Sequence, residues 1–243
     1  MKKVLFISLI ILVYFIPSSS QKVELGIKAG MNAGVLIGPI EDGERGKPAI
    51  GPNLGLYGLI PINSKISLQL EANYCYTGVS FKRHEIRQNY PRDVVIDGIL
   101  FPDLPTTYEA DVEGKIDLHY ADFPFQMLWN FNNKWALSVG PRIAFLIEGD
   151  LVGTAYNVKL GENGAFGTIA KEPFPEHEIE SFKKDLRFID VGFTIGGNYR
   201  FNNRWHLGLD ASNGFTSVNL SGEFLPDNYY NFFINTSIGV SLF

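Results

Sequence analysis

Eight stretches of this 243-residue chain repeat with a period of two, and that alternation constrains the fold more than any other feature. A period of two sends successive side chains to opposite faces, so each stretch reads as a β-strand with one apolar and one polar face. Leu25, Ile27, Ala29, Met31, Ala33 and Val35 alternate with Glu24, Gly26, Lys28, Gly30, Asn32 and Gly34. Ile66, Leu68, Leu70, Ala72, Tyr74 and Tyr76 alternate with Ser67, Gln69, Glu71, Asn73, Cys75 and Thr77. The segments around 135–148, 189–200 and 205–212 alternate in the same way, and 51–62, 116–131 and 229–243 do so less cleanly.

The polar face decides what surrounds the strands. It holds glycine, small polar residues and a few charges of both signs: Glu24, Lys28, Glu71, Arg142, Glu148, Asp190, Arg200, His206 and Asp210. An eight-stranded barrel has an interior just wide enough for side chains, so small residues and pairable charges suit its lumen. An aqueous surface would carry lysine and glutamate in numbers instead. These nine residues are the expected lumen network, with the apolar face on lipid. The connections agree, because they alternate long (37–50, 82–115, 150–184, 220–228) and short (INSK 62–65, NNK 132–134, NNR 202–204). Outer-membrane barrels have short periplasmic turns and longer extracellular loops. The expectation is an all-β, eight-stranded antiparallel up-and-down transmembrane β-barrel with both termini periplasmic, ending on Phe243.

FNNKW (131–135) and FNNRW (201–205) follow from that architecture. A three-residue link between Phe131 and Trp135 keeps both on one barrel face, and the same holds for Phe201 and Trp205. These four aromatics are expected to form a girdle at the membrane boundary. INSKI (62–66) has the same spacing, with Leu54, Leu56 and Ile60 on the lipid side. The asparagines are expected to supply left-handed backbone to the turns.

The N-terminus sets the compartment. MKK, the apolar run 4–16 and PSSSQ have the order of a secretory signal peptide, with cleavage expected after Ser20. The run is shorter than the roughly 20 residues of a spanning helix. The domain plan is therefore a signal peptide at 1–20 and a barrel at 21–243, in the bacterial outer membrane. Loss of Lys2 and Lys3 deepens an acidic balance that begins at 21 basic against 26 acidic residues, which leaves no nucleic-acid surface. Cys75 is the single cysteine, so no intramolecular disulfide is possible.

Four stretches carry a family likeness: GIKAGMN (26–32), HYADFPFQMLW (119–129), SVGPRIAFLI (138–147) and DVGFTIGGNYRF (190–201). With eight strands in place, the chain resembles the PorT-like outer-membrane β-barrel family of Gram-negative bacteria. The resemblance spans 21–243 and implies the fold and the location. It carries over no functional residue.

The histidines and the long loops hold the candidates for chemistry. His206 shares the inner face with Asp210 and Ser212, an arrangement that could orient an imidazole in a lipid-modifying barrel enzyme. A packed lumen is much the commoner reason for such a cluster. His84 and His177 fall in charged loops, and His119 at the loop end of the fourth strand. Glu172, Glu176, His177, Glu178 and Glu180 are possible hard-cation ligands, but their spacing fits no metal loop. No metal, cofactor or catalytic residue is therefore expected. The favoured reading is a non-enzymatic structural or interaction component of the cell envelope. Its partners would be outer-membrane lipid and an envelope protein met through extracellular loops 82–115 and 150–184. The alternatives are the lipid-modifying enzyme and a soluble lipocalin-like barrel, which needs an apolar interior pocket. The apolar ILFP (99–102) in the longest loop has no assigned role.

Overall fold

The computed structural model describes residues 23–38, 45–96, 99–161, 164–220 and 229–242. The expected signal peptide, residues 39–44 of the connection 37–50, residues 221–228 and Phe243 lie outside these residues. The elements run β1 (Glu24–Ile37), β2 (Arg45–Pro61), β3 (Ile66–Ile96), β4 (Ile99–Asn130), β5 (Trp135–Leu160), β6 (Gly167–Pro173), α1 (Glu176–Asp185), β7 (Ile189–Arg200), β8 (Trp205–Ser217) and β9 (Tyr230–Ser241). Every pairing is antiparallel. β1 to β5 pair in sequence order, β5 passes to β7, β8 and β9 follow, and β9 returns to β1 to close the ring. Among the described residues β6 pairs only with the far end of β5, outside the ring of eight.

The three short turns are built alike. Asn63 Oδ1 accepts the backbone N–H groups of Lys65 and Ile66, both at 2.9 Å. Asn132 Oδ1 takes those of Lys134 (2.8 Å) and Trp135 (2.9 Å), and Asn202 Oδ1 those of Arg204 (2.8 Å) and Trp205 (2.9 Å). The turn asparagines are thus side-chain caps. The left-handed backbone expected of them is absent, since positive φ at non-glycine residues occurs only at Asn89, Asp103 and Asn157 among the described residues. The reason is that an amide oxygen can close the turn from an ordinary backbone conformation.

The expected loops 82–115 and 150–184 are mostly regular structure. β3 and β4 continue as a hairpin past Thr77 and Leu118, β5 continues to Leu160, and β6 and α1 fill much of the rest. From Thr77 to Ile96, β3 runs roughly 60 Å at about 3.3 Å per residue. The strands keep their parity along this extension but exchange the polarity of their faces. In the lower half of β4, Phe123, Phe125, Met127 and Trp129 are exposed while Asp122 and Gln126 are buried. In the upper half, Tyr108, Ala110, Val112, Ile116 and Leu118 are buried, and Glu109, Asp111, Glu113, Lys115 and Asp117 face outward. β3 makes the same exchange between Cys75 and Val79. A strand against hydrocarbon needs its apolar side out, whereas one in water needs it in. The exchange therefore marks where the lipid ends.

β5 makes the exchange through a β-bulge. His119 pairs with Glu148 and Tyr120 with Leu146, so Ile147 is an extra residue. Ile147 and Glu148 are both exposed, and Gly149 and Leu151 are buried beyond them. Glu148, expected in the lumen from its parity, faces outward because the bulge shifts the count by one.

The main apolar core sits above the lipid band. The inward face of the β3–β4–β5 extension supplies Val79, Phe81, Tyr108, Ala110, Val112, Ile116, Leu118, Leu151 and Ala155, covered by Phe174, Phe182 and Leu186. Ten-residue α1 has glutamates in its first turn and lysines in its last, as the helix dipole favours. It presents Phe182, 1% exposed, to the sheet. A Cβ at Gly149 would collide with Leu186, and one at Gly153 with the Phe174 ring, so these glycines let the cover approach the sheet. Lys183 holds Asp150 at 2.5 Å, and Glu178 accepts from Arg87 Nη1 (2.6 Å) and Tyr90 (2.9 Å).

Candidate functional site

Inside the lipid band the inward side chains form two bonded charge groups. Toward the short turns, Lys28 pairs with Glu71, whose carboxylate also receives Gln69 and Asn73 (2.8 Å). Toward the extension, Arg142 lies between Asp122 (2.8 Å) and Asp190 (2.9 Å), with its guanidinium 4.9 Å from the Phe233 ring. Asp190 also accepts from Thr216 (2.8 Å) and Asn231 (3.1 Å), and Asn231 reaches Tyr120 at 3.0 Å. Lys28, Glu71, Asp122, Arg142 and Asp190 are all less than a tenth exposed. Charges buried this far from water persist only when paired and hydrogen-bonded.

The structure distributes the nine expected lumen residues unevenly. Lys28 and Glu71 meet, and Arg142 meets Asp190. Asp210 is buried and takes Ser138 at 3.5 Å. Glu24 and Arg200 pair at 3.0 Å at the short-turn mouth, where Tyr57 donates to Glu24 at 3.2 Å. Glu148 is outside. Asp122, Gln69, Gln126, Asn73 and Asn231 belong to the network but were not singled out from sequence. The even-numbered parity of β4 was the available signal for Asp122 and Gln126.

The candidate catalytic cluster is divided among different neighbours. Ser212 bonds Thr194 at 2.8 Å, Asp210 bonds Ser138, and the His206 ring packs edge-on against Tyr57 at 5.0 Å. Of the candidate cation ligands, Glu172 and Glu178 line one small cavity beside Tyr108, and the His177 side chain lies outside the described residues. Glu172 lies against Tyr108 (3.4 Å), Glu178 is bound to Arg87, and Glu180 is near Lys184 (3.7 Å). Among the described residues no cluster suited to a metal ion occurs.

Above the lipid, the outward face of the extension is an ionic ladder. Lys82 pairs with Glu113, His84 Nδ1 with Asp111 (2.9 Å), and Lys159 with Glu109 (2.6 Å). Hydrogen bonds from Asn157 and His84 hold the Asp111 carboxyl below its ordinary range. On the inward face, burial pushes the Tyr108 phenol up, with the Glu172 charge adding to it. Ile99, Leu100 and Phe101 are exposed near the end of the β3–β4 hairpin. At the other end, Phe131, Trp135, Phe201 and Trp205 are 49–58% exposed beside the short turns. Trp129 stacks on Phe131 at 5.1 Å, and Tyr199 touches both Trp135 (4.6 Å) and Phe201 (5.0 Å).

Several solved structures are similar. Ail, the attachment invasion locus protein of Yersinia pestis, is 9% identical over 91% of this chain and 99% of that one, with a TM-score of 0.44. Neisserial surface protein A is 10% identical over 90% and 97%, with a TM-score of 0.34. CarO2 of Acinetobacter baumannii is 13% identical over 90% and 99%, with a TM-score of 0.34. No curated protein matches the chain. The sequence model of the outer membrane protein beta-barrel domain matches residues 18–219, which include β1 to β8. The chain therefore belongs to this family of bacterial outer-membrane β-barrels.

Proposed function

We propose that the barrel is a non-enzymatic anchor that holds a folded β-sheet and helix outside the membrane, where they meet an envelope partner. The observation that carries this reading is the placement of the core. The lumen is filled with paired charges, while the apolar core lies between the projecting sheet and α1. A lumen so packed favours neither a pore nor a substrate pocket, and the partition of His206, Asp210 and Ser212 favours no hydrolase. In this reading residues 1–20 are a cleaved signal peptide, the short turns and both termini are periplasmic, and the extension is extracellular. Phe131, Trp135, Phe201 and Trp205 are the periplasmic girdle. Glu24, Lys28, Glu71, Arg142, Asp190, Arg200, His206 and Asp210 plug the lumen. The PorT-like group is the proposed branch of the family.

Photo-crosslinking in native outer membranes tests this function. A crosslinker at exposed Ile86 or Val152 on the extension is expected to capture a discrete envelope protein, and one at Leu207 on the barrel wall is not. Capture only from the wall, or altered membrane lipids on expression that depend on His206, would overturn it.

A further inference from the structure

We propose that the short-turn end of the barrel is a docking surface for an acidic, extended segment of a periplasmic protein. The inference rests on the barrel reading, which puts this end in the periplasm, and it adds a second interface opposite the extension. Charge singles this end out. Among the described residues it carries Lys65, Lys134, Arg200 and Arg204 against one acid, Glu24, in a chain of formal net charge −5. Glu24 is taken by Arg200 at 3.0 Å. Lys65, Lys134 and Arg204 are exposed and form no ion pair among the described residues.

The three free cations are held alike. Each is the last residue of a short turn, with its backbone N–H taken by the turn asparagine. Each carbonyl accepts an N–H from the adjoining strand: Asn130 gives to Lys65, Arg200 to Lys134 and Ser241 to Arg204, all at 2.7 Å. These bonds close the turn whatever side chain stands there, so the fold itself requires no cation at the position. They also fix the backbone beforehand, and only side-chain freedom is lost when an anion binds. The ring order sets the turns two strand spacings apart, roughly 10 Å along the wall. An extended chain covers that span in about three residues.

Within this crown the barrel mouth forms a recess of about 420 Å³, open solvent included, lined by Gln69, Lys134, Asn198, Arg200 and His206 among others. His206 is 9% exposed, and its ring packs on Tyr57 but makes no hydrogen bond among the described residues. Asn198 Nδ2 is buried without an acceptor. Buried donors left unmet cost free energy until an acceptor reaches them. With Lys134 and Arg200 on the same recess, the acceptor that fits is an anion, and the size of the opening suits one carboxylate side chain.

The position of the recess decides the kind of partner. An anionic lipid stays in the leaflet outside the wall and does not enter the ring of turns. A cell-wall polymer balances part of its carboxylates with ammonium groups, which the crown repels. A run of aspartate or glutamate in a polypeptide meets both parts at once, with one carboxylate in the recess and others on Lys65, Lys134 and Arg204. Opposite charge across such a surface also steers the encounter.

The test uses the full barrel in nanodiscs of phosphatidylcholine, where both ends are open and the lipid has no net charge. The probe is a rhodamine-labelled peptide of Glu-Gly-Gly repeats, read by anisotropy at low salt. The wild type is expected to bind it. Lys65→Gln, Lys134→Gln and Arg204→Gln together should weaken binding about thirtyfold, roughly threefold for each exposed ion pair. His206→Phe, which keeps a ring against Tyr57, should weaken it about threefold through the lost donor. Lys184→Gln on the exposed side of α1 should leave it unchanged. No binding by the wild type, or equal binding by a triple variant that keeps its heat-modifiable mobility, would overturn the proposal. Retention on isolated peptidoglycan without peptide binding would overturn it in favour of the cell wall, and crown-dependent enrichment of phosphatidylglycerol without peptide binding in favour of lipid. Asn133→Cys should react with a membrane-impermeant maleimide only after the outer membrane is opened. Reaction in intact cells would overturn the periplasmic placement itself, whereas a protected Asn133→Cys without peptide binding overturns only the docking surface.

Discussion

Replacing Arg142 by methionine removes the cation that holds the upper lumen together. The residue is 2% exposed, its Nε and Nη1 lie 2.8 and 2.9 Å from Asp122 and Asp190, and its guanidinium faces Phe233. Methionine fills similar volume, so the cost is electrostatic: two carboxylates are left inside the barrel without their counter-charge. Breaking a buried pair by removing one partner costs about 3–5 kcal/mol. The lost contact with the ring adds on the order of 1 kcal/mol. A destabilisation near 4 kcal/mol is nearly three decades in the unfolding equilibrium, each 1.4 kcal/mol being a factor of ten. The triple variant Arg142→Met, Asp122→Asn, Asp190→Asn removes the charges together and keeps one amide oxygen at position 190 to accept from Asn231. It should return to within about 1 kcal/mol of wild type, as whole buried ion groups often can. The assay is urea unfolding of the barrel in lipid vesicles, followed by tryptophan fluorescence and gel mobility. A single variant within 1 kcal/mol of wild type, or a triple variant no better than the single, would refute the view of the lumen as a mutually dependent charge group.

Other expectations concern the turns and the extension. Asn132→Ala and Asn202→Ala each remove a cap that takes two backbone N–H groups and should cost about 1–2 kcal/mol, whereas Asn133→Ala should be nearly neutral in the same unfolding assay. Phe182→Ala empties a site 1% exposed and should cost about 3 kcal/mol locally, seen as new protease cleavage around α1 while heat-modifiable mobility is retained. For Asp111 the folded value is depressed, so its contribution is present above the ordinary aspartate range and lost as pH falls through the lowered folded value. The pair with His84 should therefore persist through the ordinary aspartate range and fail only below it. Carboxyl NMR should follow that titration, and Asn157→Ala should move it upward.

Much of the barrel was legible because its physics is local. A period of two placed Lys28, Glu71, Arg142 and Asp190 on one face, and they are buried there together. The asymmetry of the links located the three short turns. What escaped was a change of solvent along a single strand. Residues 107–118 alternate as cleanly as any segment, with Tyr108, Ala110, Val112, Ile116 and Leu118 against charges. A template with apolar residues outward reads that charged stretch as loop, although the strand has only passed from lipid to water. Glu148 escaped for a related reason: one bulged residue reverses parity and leaves no mark in the sequence. α1 offers only Ile179 and Phe182 as a helical apolar pair within ten residues, too little for periodicity to register. The role of the turn asparagines depended on where an amide oxygen points, which residue type alone does not specify.

β4 is one continuous strand whose surroundings change from lipid to water near His119. A nitroxide scan from position 107 to 129 in lipid vesicles, comparing collisions with oxygen and with a water-soluble nickel complex, tests it directly. The expected pattern has period two throughout. Labels at 121, 123, 125, 127 and 129 should be open to oxygen, those at 109, 111, 113, 115 and 117 open to nickel, and even positions shielded from both. A mobile label without alternation across 107–118, or oxygen access that continues above 119, would contradict it.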